Sequence, residues 1–294
     1  MVRYSKDVSY FIEMVGLASS SVGCVTVDNK YALIQVDPTY SIVIAPPVGE
    51  DHPTFETVVF YTNCLAYEHD LPAFVLPVRR GALVQPVEEG PRKYINDSYY
   101  DSLGMACEAI NSIRLGPLGY VYFRWPGYKK DVDLAYTDKY SSVAKELSLY
   151  STAIRQLDPL SEFLCYYRVI ESTTGTNGKA WIANNLSRLH NYGFGFLEFG
   201  TASPLKKRRR RINLFSTYRR RALARLRDLN RRSINVPDYF YHENRCGIAH
   251  GKSDVKEYDF KYNIEEISRD NYALKLLSRI AVEDARSSKT RKTA

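Results

Sequence analysis

The chain has 294 residues, 45% of them hydrophobic, which is enough for two domains that each bury a core and excludes wholesale disorder. Its five cysteines show no paired spacing and no histidine at ligand distance, so we expect reduced thiols, no metal site and no cofactor. The net charge of +8 is concentrated locally, because residues 206–232 hold thirteen Lys or Arg and a single acid.

Targeting and membrane signals are not found in the sequence. The opening residues carry scattered charges and lack the apolar centre of a secretion signal. No uncharged apolar run approaches the roughly 18 residues that a membrane span needs. We therefore expect a cytoplasmic protein that does not enter a membrane.

The first 95 residues predict mostly β-structure. Segments rich in β-branched and aromatic residues alternate with turn-forming residues such as Asp28-Asn29-Lys30. The predicted strands cover residues 24–27, 31–36, 41–45 and 56–61. We expect a small mixed or antiparallel sheet, followed by a helix over residues 97–115 and a strand over residues 119–125.

From Ser141 onward, apolar residues recur every three to four positions, which predicts helices. Asp158 and Pro159 suit the N-cap and first turn of a helix that runs to residue 172. Asn235 suits the N-cap of another helix, which we expect to end at Gly251. Further helices are predicted over residues 179–192, 217–232 and 264–282.

The expected fold class is therefore α+β. An N-terminal β-rich domain over residues 1–130 would sense a signal, regulate the protein or bind a partner. An all-α helical bundle over residues 139–285 would follow it. Residues 286–294 are polar and basic, and we expect them to form a disordered tail.

An arginine and a histidine five residues apart, Arg245 and His250, lie near the predicted end of the Asn235 helix. Five residues of an α-helix rise about 7.5 Å and turn about 140°, so these side chains converge only in a groove beside a partner helix. RNA cleavage without a metal needs proton transfer at the 2′- and 5′-oxygens and a cation for the phosphate charge. Histidine and arginine suit these tasks, and we interpret the pair as catalytic.

The run Arg245-Cys-Gly-Ile-Ala-His250 resembles the R-x4-H motif of the HEPN superfamily, and Tyr166-Tyr-Arg-Val-Ile-Glu171 resembles a helix of its MauJ-like and ApeA-like members. The resemblance covers residues 141–285. It implies a HEPN-type helical bundle, commonly a homodimer, in which two motifs face each other in one RNA-cleaving site. Many such proteins are toxins or effectors of antiviral defence. This sequence departs from the pattern at Cys246, where active members commonly carry Asn, Asp or His.

Further residues complete the expected site. Glu171 would orient Arg245 through a bidentate contact, and Asn244 would supply the polar group missing at Cys246. The basic segment is interpreted as an RNA-docking surface, because clustered cations repel one another unless a polyanion is bound. The expected RNA-binding residues are Lys206, Lys207, Arg208, Arg209, Arg210, Arg211, Arg219, Arg220 and Arg221.

These residues support hypotheses from different classes. The first is a metal-independent endoribonuclease, a homodimeric toxin or antiviral effector that a regulatory or antitoxin protein controls. The second is a catalytically inactive HEPN-fold module that binds RNA or assembles complexes. The third is a DNA-binding protein that uses the arginine-rich segment, although no helix-turn-helix pattern is found. Cleavage that is lost in His250→Ala, with RNA binding retained, separates the first hypothesis from the second.

Overall fold

The computed structural model describes residues 10–14, 24–35, 41–47, 49–77, 133–192, 196–198, 211–250 and 260–293. The chain divides into two compact units. The first unit contains residues 1–141 and 198–210, and the second contains residues 142–197 and 211–294.

The first unit contains a sheet of short strands in the order β5-β1-β4-β3-β2-β6. The strands are β1 (Tyr10–Met14), β2 (Cys24–Val27), β3 (Tyr31–Gln35), β4 (Ser41–Ala45), β5 (Ala73–Pro77) and β6 (Asp133–Leu134). Strands β2 and β6 pair in parallel, and the other described pairs are antiparallel. Asp28 and Asn29 join β2 to β3 with φ angles of 51° and 52°, the left-handed conformation that tight hairpin turns require.

The predicted fold class was wrong, because helices dominate the described chain and the first unit combines its short strands with a long helix instead of forming a β-rich domain. Residues 56–61, predicted to be a strand, lie inside helix α1 (Phe55–His69), the longest described element of the first unit. Each described strand of the sheet has only two to five residues. The predicted helix over residues 97–115 and strand over residues 119–125 lie outside the described residues.

Helix α1 forms because a local cap and a buried face act together. Thr54 caps the first turn by accepting a hydrogen bond from the backbone N of Thr57 over 3.3 Å. Val58, Tyr61 and Leu65 recur at helical spacing and are 0%, 4% and 0% exposed. The β-branched and aromatic residues of this segment suit a strand by propensity, but burial of one helical face outweighs that preference.

The second unit is mainly helical, in agreement with the sequence prediction for this part of the chain. After the short helix α2 (Tyr136–Tyr140) of the first unit come α3 (Ala144–Arg155), α4 (Pro159–Thr174), α5 (Lys179–Asn185), α6 (Leu214–Arg231) and α7 (Phe260–Thr293). Helix α5 continues as a 3₁₀ turn, Leu186–His190. Strands β7 (Phe196–Glu198) and β8 (Arg211–Asn213) pair with each other.

Between α6 and α7 the chain forms one helix of three segments, which we name the motif helix. It begins with the short α-helical turn Val236–Asp238, continues as the π-helix Tyr239–Cys246, and ends with the α-helical turn Gly247–His250. The motif helix packs against α4. Arg245 and His250 therefore lie on the same continuous helix.

Aromatic side chains form much of the core of the second unit. Helix α4 packs against α3 and α7, and its Phe163 and Tyr166 are fully buried. The ring of Tyr150 on α3 lies 5.5 Å from that of Tyr166. Phe240 of the motif helix meets Phe163 edge to face at 6.1 Å. This core fixes the position of α4 relative to the motif helix.

Three helices of the second unit have ends for which the sequence makes a prediction. Asp158 accepts a hydrogen bond from Ser161 N over 2.9 Å, and Asn235 accepts one from Asp238 N over 3.2 Å, so both predicted caps are present. Helix α7 continues to Thr293, so residues 286–293, expected to be disordered, are helical in the structure. None of the described helices combines the length and apolar character needed to cross a membrane.

Candidate functional site

The π-helical segment decides which side chains of the motif helix meet. Hydrogen bonds join residues five apart in a π-helix, whereas residues five apart in an α-helix point about 140° away from each other. Tyr239 and Asn244 are five residues apart, and both donate to Oδ2 of Asp270, over 2.9 Å and 3.0 Å. The π-turn therefore brings two side chains onto one carboxylate that an ordinary α-helix would separate.

Arg245 lies near the end of the π-segment and contacts Glu171 of α4. Its Nε donates to Oε1 of Glu171 over 3.1 Å, and the two side chains are 26% and 22% exposed. Burial acts to lower the pKa of Arg245, but the charge and hydrogen bond of Glu171 raise it above its ordinary value. The structure thus brings these two predicted site residues together, with the guanidinium held in its charged form.

Aromatic rings lie beside this ion pair. Tyr241 is close enough to Arg245 to help raise its pKa. The ring centroid of Tyr241 lies 6.3 Å from that of Tyr167 and 4.7 Å from that of His242. Tyr167 is buried, and its hydroxyl donates to the carbonyl oxygen of Asn177 over 2.8 Å. Burial raises the pKa of Tyr167, so this hydroxyl stays protonated and is not a candidate base.

His250 is the last described residue of the motif helix. Its side chain lies outside the described part of the structure. The backbone places His250 five residues after Arg245 and across the boundary between the π-helical and α-helical segments. Convergence of the two side chains stays a prediction.

Asn244 belongs to a buried polar cluster and not to the exposed surface around the ion pair. Its side chain is 0% exposed, and its amide donates to Asp270. Arg225 of α6 donates from Nε to the other oxygen of Asp270 over 2.6 Å and from Nη2 to the Tyr239 hydroxyl over 3.0 Å. The role proposed for Asn244 as a polar group beside substrate therefore finds no exposed atom to perform it.

The buried cluster is charged at neutral pH. Burial raises the pKa of Asp270 to about 6, while Arg225 and the hydrogen bonds from Tyr239 and Asn244 oppose that rise. Burial alone would lower the pKa of Arg225, but Asp270 raises it above its ordinary value. The cluster joins α6, the motif helix and α7, so it constrains the π-helical segment that ends next to Arg245.

The helical spacing of apolar residues in the sequence could have predicted this cluster. Arg225 lies three or four positions from apolar residues of α6, and Asp270 lies three or four positions from apolar residues of α7. The buried residues that share these faces are Ala222, Leu226, Leu229, Ile267, Ala273 and Leu274. A charged residue on the buried face of each of two helices predicts a partner across the contact.

The basic residues predicted to bind RNA do not act alike. The side chains of Lys206, Lys207, Arg208, Arg209, Arg210 and Arg211 lie outside the described part of the structure. Arg219 donates to the carbonyl oxygen of Tyr192 over 3.1 Å. Arg221 bonds to the hydroxyl of Tyr272 and lies 5.0 Å from its ring centroid. Arg220 is exposed, whereas Arg219 and Arg221 are partly buried.

Metal ligands and reactive thiols are two other kinds of group that a catalytic site can use. Within the described ranges, no group of three or more His, Cys, Asp or Glu side chains is arranged to hold a metal ion. Cys64, Cys165 and Cys246 are free thiols. Burial raises the pKa of Cys64 and of Cys165, so neither has the lowered pKa of an activated nucleophile.

Comparison with known proteins concerns the second unit. No curated protein and no solved structure matches the chain. The family model described as methylamine utilization protein MauJ matches residues 147–283, a little under half of the chain. These residues include α4 with Glu171 and the motif helix with Arg245 and His250. Over this range the chain is similar to the MauJ family, as the sequence resemblance indicated.

Proposed function

We propose that the protein is a metal-independent endoribonuclease of the HEPN type, with Arg245 and His250 in its active site. The observation that carries this proposal is the 3.1 Å contact through which Glu171 holds Arg245, five residues before His250. The Arg245 side chain is 26% exposed, so it is anchored and still reaches solvent. The part of the chain that is similar to the MauJ family, residues 147–283, contains both Arg245 and His250.

The reaction needs two proton transfers and one cation. The ribose 2′-oxygen attacks phosphorus, the bond from phosphorus to the 5′-oxygen breaks, and the products are a 2′,3′-cyclic phosphate and a 5′-hydroxyl. A base takes the proton of the 2′-hydroxyl, and an acid protonates the departing 5′-oxygen. We assign both proton transfers to the two His250 side chains of a homodimer. We assign to Arg245 the stabilisation of the charge on the phosphate oxygens.

The rest of the chain is assigned to substrate and control. The basic segment 206–232 is proposed to dock RNA through its phosphates, without reading base sequence. The N-terminal unit is proposed to sense a signal or to bind a regulatory or antitoxin protein. A role as a toxin or antiviral effector follows from the HEPN resemblance.

Incubation with RNA in EDTA tests this proposal. The unmutated protein is expected to cut total RNA and a labelled single-stranded RNA, leaving 2′,3′-cyclic ends. Arg245→Ala and His250→Ala are expected to lose cleavage by at least about 100-fold, the usual contribution of one acid–base or charge-stabilising group. His242→Ala is the matched control, because His242 lies on the same helix with a side chain that is 60% exposed. Cleavage that survives in His250→Ala would refute the assignment.

The second candidate is an RNA-binding or assembly module that does not cleave. It is favoured by the burial of Asn244, because neither Asn244 nor Cys246 then offers an exposed amide or carboxyl group beside Arg245. This candidate predicts that the unmutated protein binds RNA and leaves it intact. Cys246→Asn, which restores the usual polar residue, is expected to preserve or raise cleavage if the first proposal is correct.

A further inference from the structure

Helix α6 divides its arginines between two faces. Arg225 is 3% exposed and held in the buried cluster. Arg219 and Arg221 are engaged by Tyr192 and Tyr272. The apolar residues of the same face are buried, namely Ala222, Leu226 and Leu229. This face therefore belongs to the interior of the second unit.

The opposite face carries Arg220, Arg227 and Arg231, which are all exposed and which we name the arginine stripe. At about 100° and about 1.5 Å per residue, the stripe lies within an arc of about 40° and extends for about 16 Å. Within the described part of the chain, no salt bridge engages the stripe. Asp228, the one acid of α6, is paired with two other arginines.

A row of cations that no salt bridge of the described chain neutralises favours a polyanion as its partner. Phosphates of a stacked strand advance about 3.4 Å each along the axis. Arg220 and Arg227 are separated by about 10 Å and Arg227 and Arg231 by about 6 Å along the helix, or about three and about two phosphate steps. One strand of nucleic acid can therefore lie along the stripe and meet every arginine.

The structure also argues against an anionic membrane as the partner. A helix that binds a membrane surface buries an apolar face in the lipid while its basic residues contact the headgroups. The apolar face of α6 is already occupied, because Ala222, Leu226 and Leu229 are 0%, 8% and 0% exposed. Exposed Ala224, between Arg220 and Arg227, adds too little apolar surface to anchor the helix.

We propose that the arginine stripe is the surface on which the phosphate backbone of single-stranded RNA lies. The choice of RNA rests on the proposed function, whereas the docking of a phosphate strand rests on the geometry of α6. The stripe contains Arg227 and Arg231 and excludes Arg219 and Arg221. Arg219 and Arg221 instead bond α6 to other parts of the second unit, at Tyr192 and Tyr272.

The salt dependence of binding tests this surface without requiring cleavage. The probe is a labelled 2′-O-methyl oligouridylate, which lacks the free 2′-hydroxyl needed for cleavage. Each phosphate contact on a single strand contributes about 0.7 to the slope of log K against log salt. Loss of three contacts in the combined variant Arg220→Gln, Arg227→Gln, Arg231→Gln should make that slope shallower by about 2. Circular dichroism checks that the variant folds.

A charge-matched variant provides the control. Lys145→Gln, Lys179→Gln and Arg269→Gln together remove the same three charges from other surfaces of the second unit. This control should leave the slope unchanged. Equal slopes for the stripe variant and the unmutated protein, or an equal change in the control, would overturn the stripe as the docking surface.

Two further experiments test which partner the stripe binds and whether the protein cleaves RNA. Vesicles containing phosphatidylserine should not bind through the stripe. If the stripe variant loses vesicle binding but binds RNA as the unmutated protein does, the assignment to RNA is overturned. Failure of the unmutated protein to bind the probe also overturns it. Unmodified RNA that binds through the stripe but stays uncut contradicts the proposed nuclease and supports the docking surface.

Discussion

The carboxylate of Glu171 controls the position of one guanidinium in the second unit. Glu171→Gln keeps the size of the side chain and one hydrogen-bond acceptor but removes the charge. Charge-assisted hydrogen bonds are roughly twice as strong as neutral ones, and solvent weakens this partly exposed pair. We expect kcat for RNA cleavage to fall about 10-fold, a cost of about 1.4 kcal/mol, with little change in KM. Steady-state kinetics on a labelled RNA measures both constants.

An exposed pair on α7 is the control for this substitution. Glu265 lies 3.8 Å from Arg269 and is 84% exposed, so Glu265→Gln should leave kcat and Tm unchanged. Melting curves of both variants are recorded together. If Glu171→Gln lowers Tm but leaves kcat intact, the pair supports the fold and does not position Arg245 for catalysis.

Among the elements, the connection between α4 and α5 depends on two glycines in the left-handed conformation. Gly175 and Gly178 have φ angles of 66° and 73°. A Cβ at Gly178 would lie 2.9 Å from Cγ2 of Ile170, whereas a Cβ at Gly175 would meet nothing within 4 Å. Gly178 therefore allows the start of α5 to approach α4 closely, and Gly175 serves only the turn.

Alanine at these two positions separates backbone strain from packing. Gly175→Ala and Gly178→Ala should each lose about 1 kcal/mol of unfolding free energy, because a side chain is strained in the left-handed region. Gly178→Ala should lose a further ~1–3 kcal/mol of unfolding free energy, because its methyl group overpacks the contact with Ile170. Urea unfolding of the full chain measures both values. Equal losses would contradict the close approach at Gly178.

Over the whole second unit, the buried cluster around Asp270 connects three consecutive helices through residues that are 14 to 45 positions apart. Asp270 is fully buried on α7, Arg225 lies on α6, and Tyr239 with Asn244 lies on the motif helix. Burial raises the pKa of Asp270 to about 6. The folded chain therefore retains a proton there, between about pH 4 and pH 6, that the unfolded chain releases.

This retained proton makes the contribution of Asp270 to stability fall as pH rises from about 4 to about 6, because the folded state binds more protons in that window. Asp270→Asn cannot titrate and lacks this fall. The difference in unfolding free energy between the variant and the unmutated protein should shift in favour of the variant by up to about 3 kcal/mol across that range. Urea unfolding at several pH values measures it.

The control for this pH dependence is Asp284→Asn. Asp284 is 43% exposed and pairs with Arg188 at the surface, so its replacement leaves the buried cluster intact. This variant should therefore keep the fall in stability between pH 4 and pH 6 that Asp270 causes. A shift of Asp270→Asn in the opposite direction would mean that Arg225 lowers the pKa of Asp270 more than burial raises it.

Local signals in the sequence predicted part of the fold. The caps at Asp158 and Asn235 depend only on a side chain and the next three backbone N–H groups, and both are present. Residues 56–61 were assigned to a strand, because β-branched and aromatic residues suit a strand and a buried helical face alike. Contact with the rest of the first unit decided for the helix α1.

The sequence by itself determined that the second unit is helical and that an arginine and a histidine lie five residues apart on one helix. It also pointed to Glu171 as the partner of Arg245, which the structure places 3.1 Å away. Only the tertiary structure decided that Asn244 is buried, that a π-turn brings it to Asp270, and that the arginines of α6 point to opposite sides. The reason is physical, because caps and helical periodicity are local, whereas burial and ion pairing depend on residues distant in the chain.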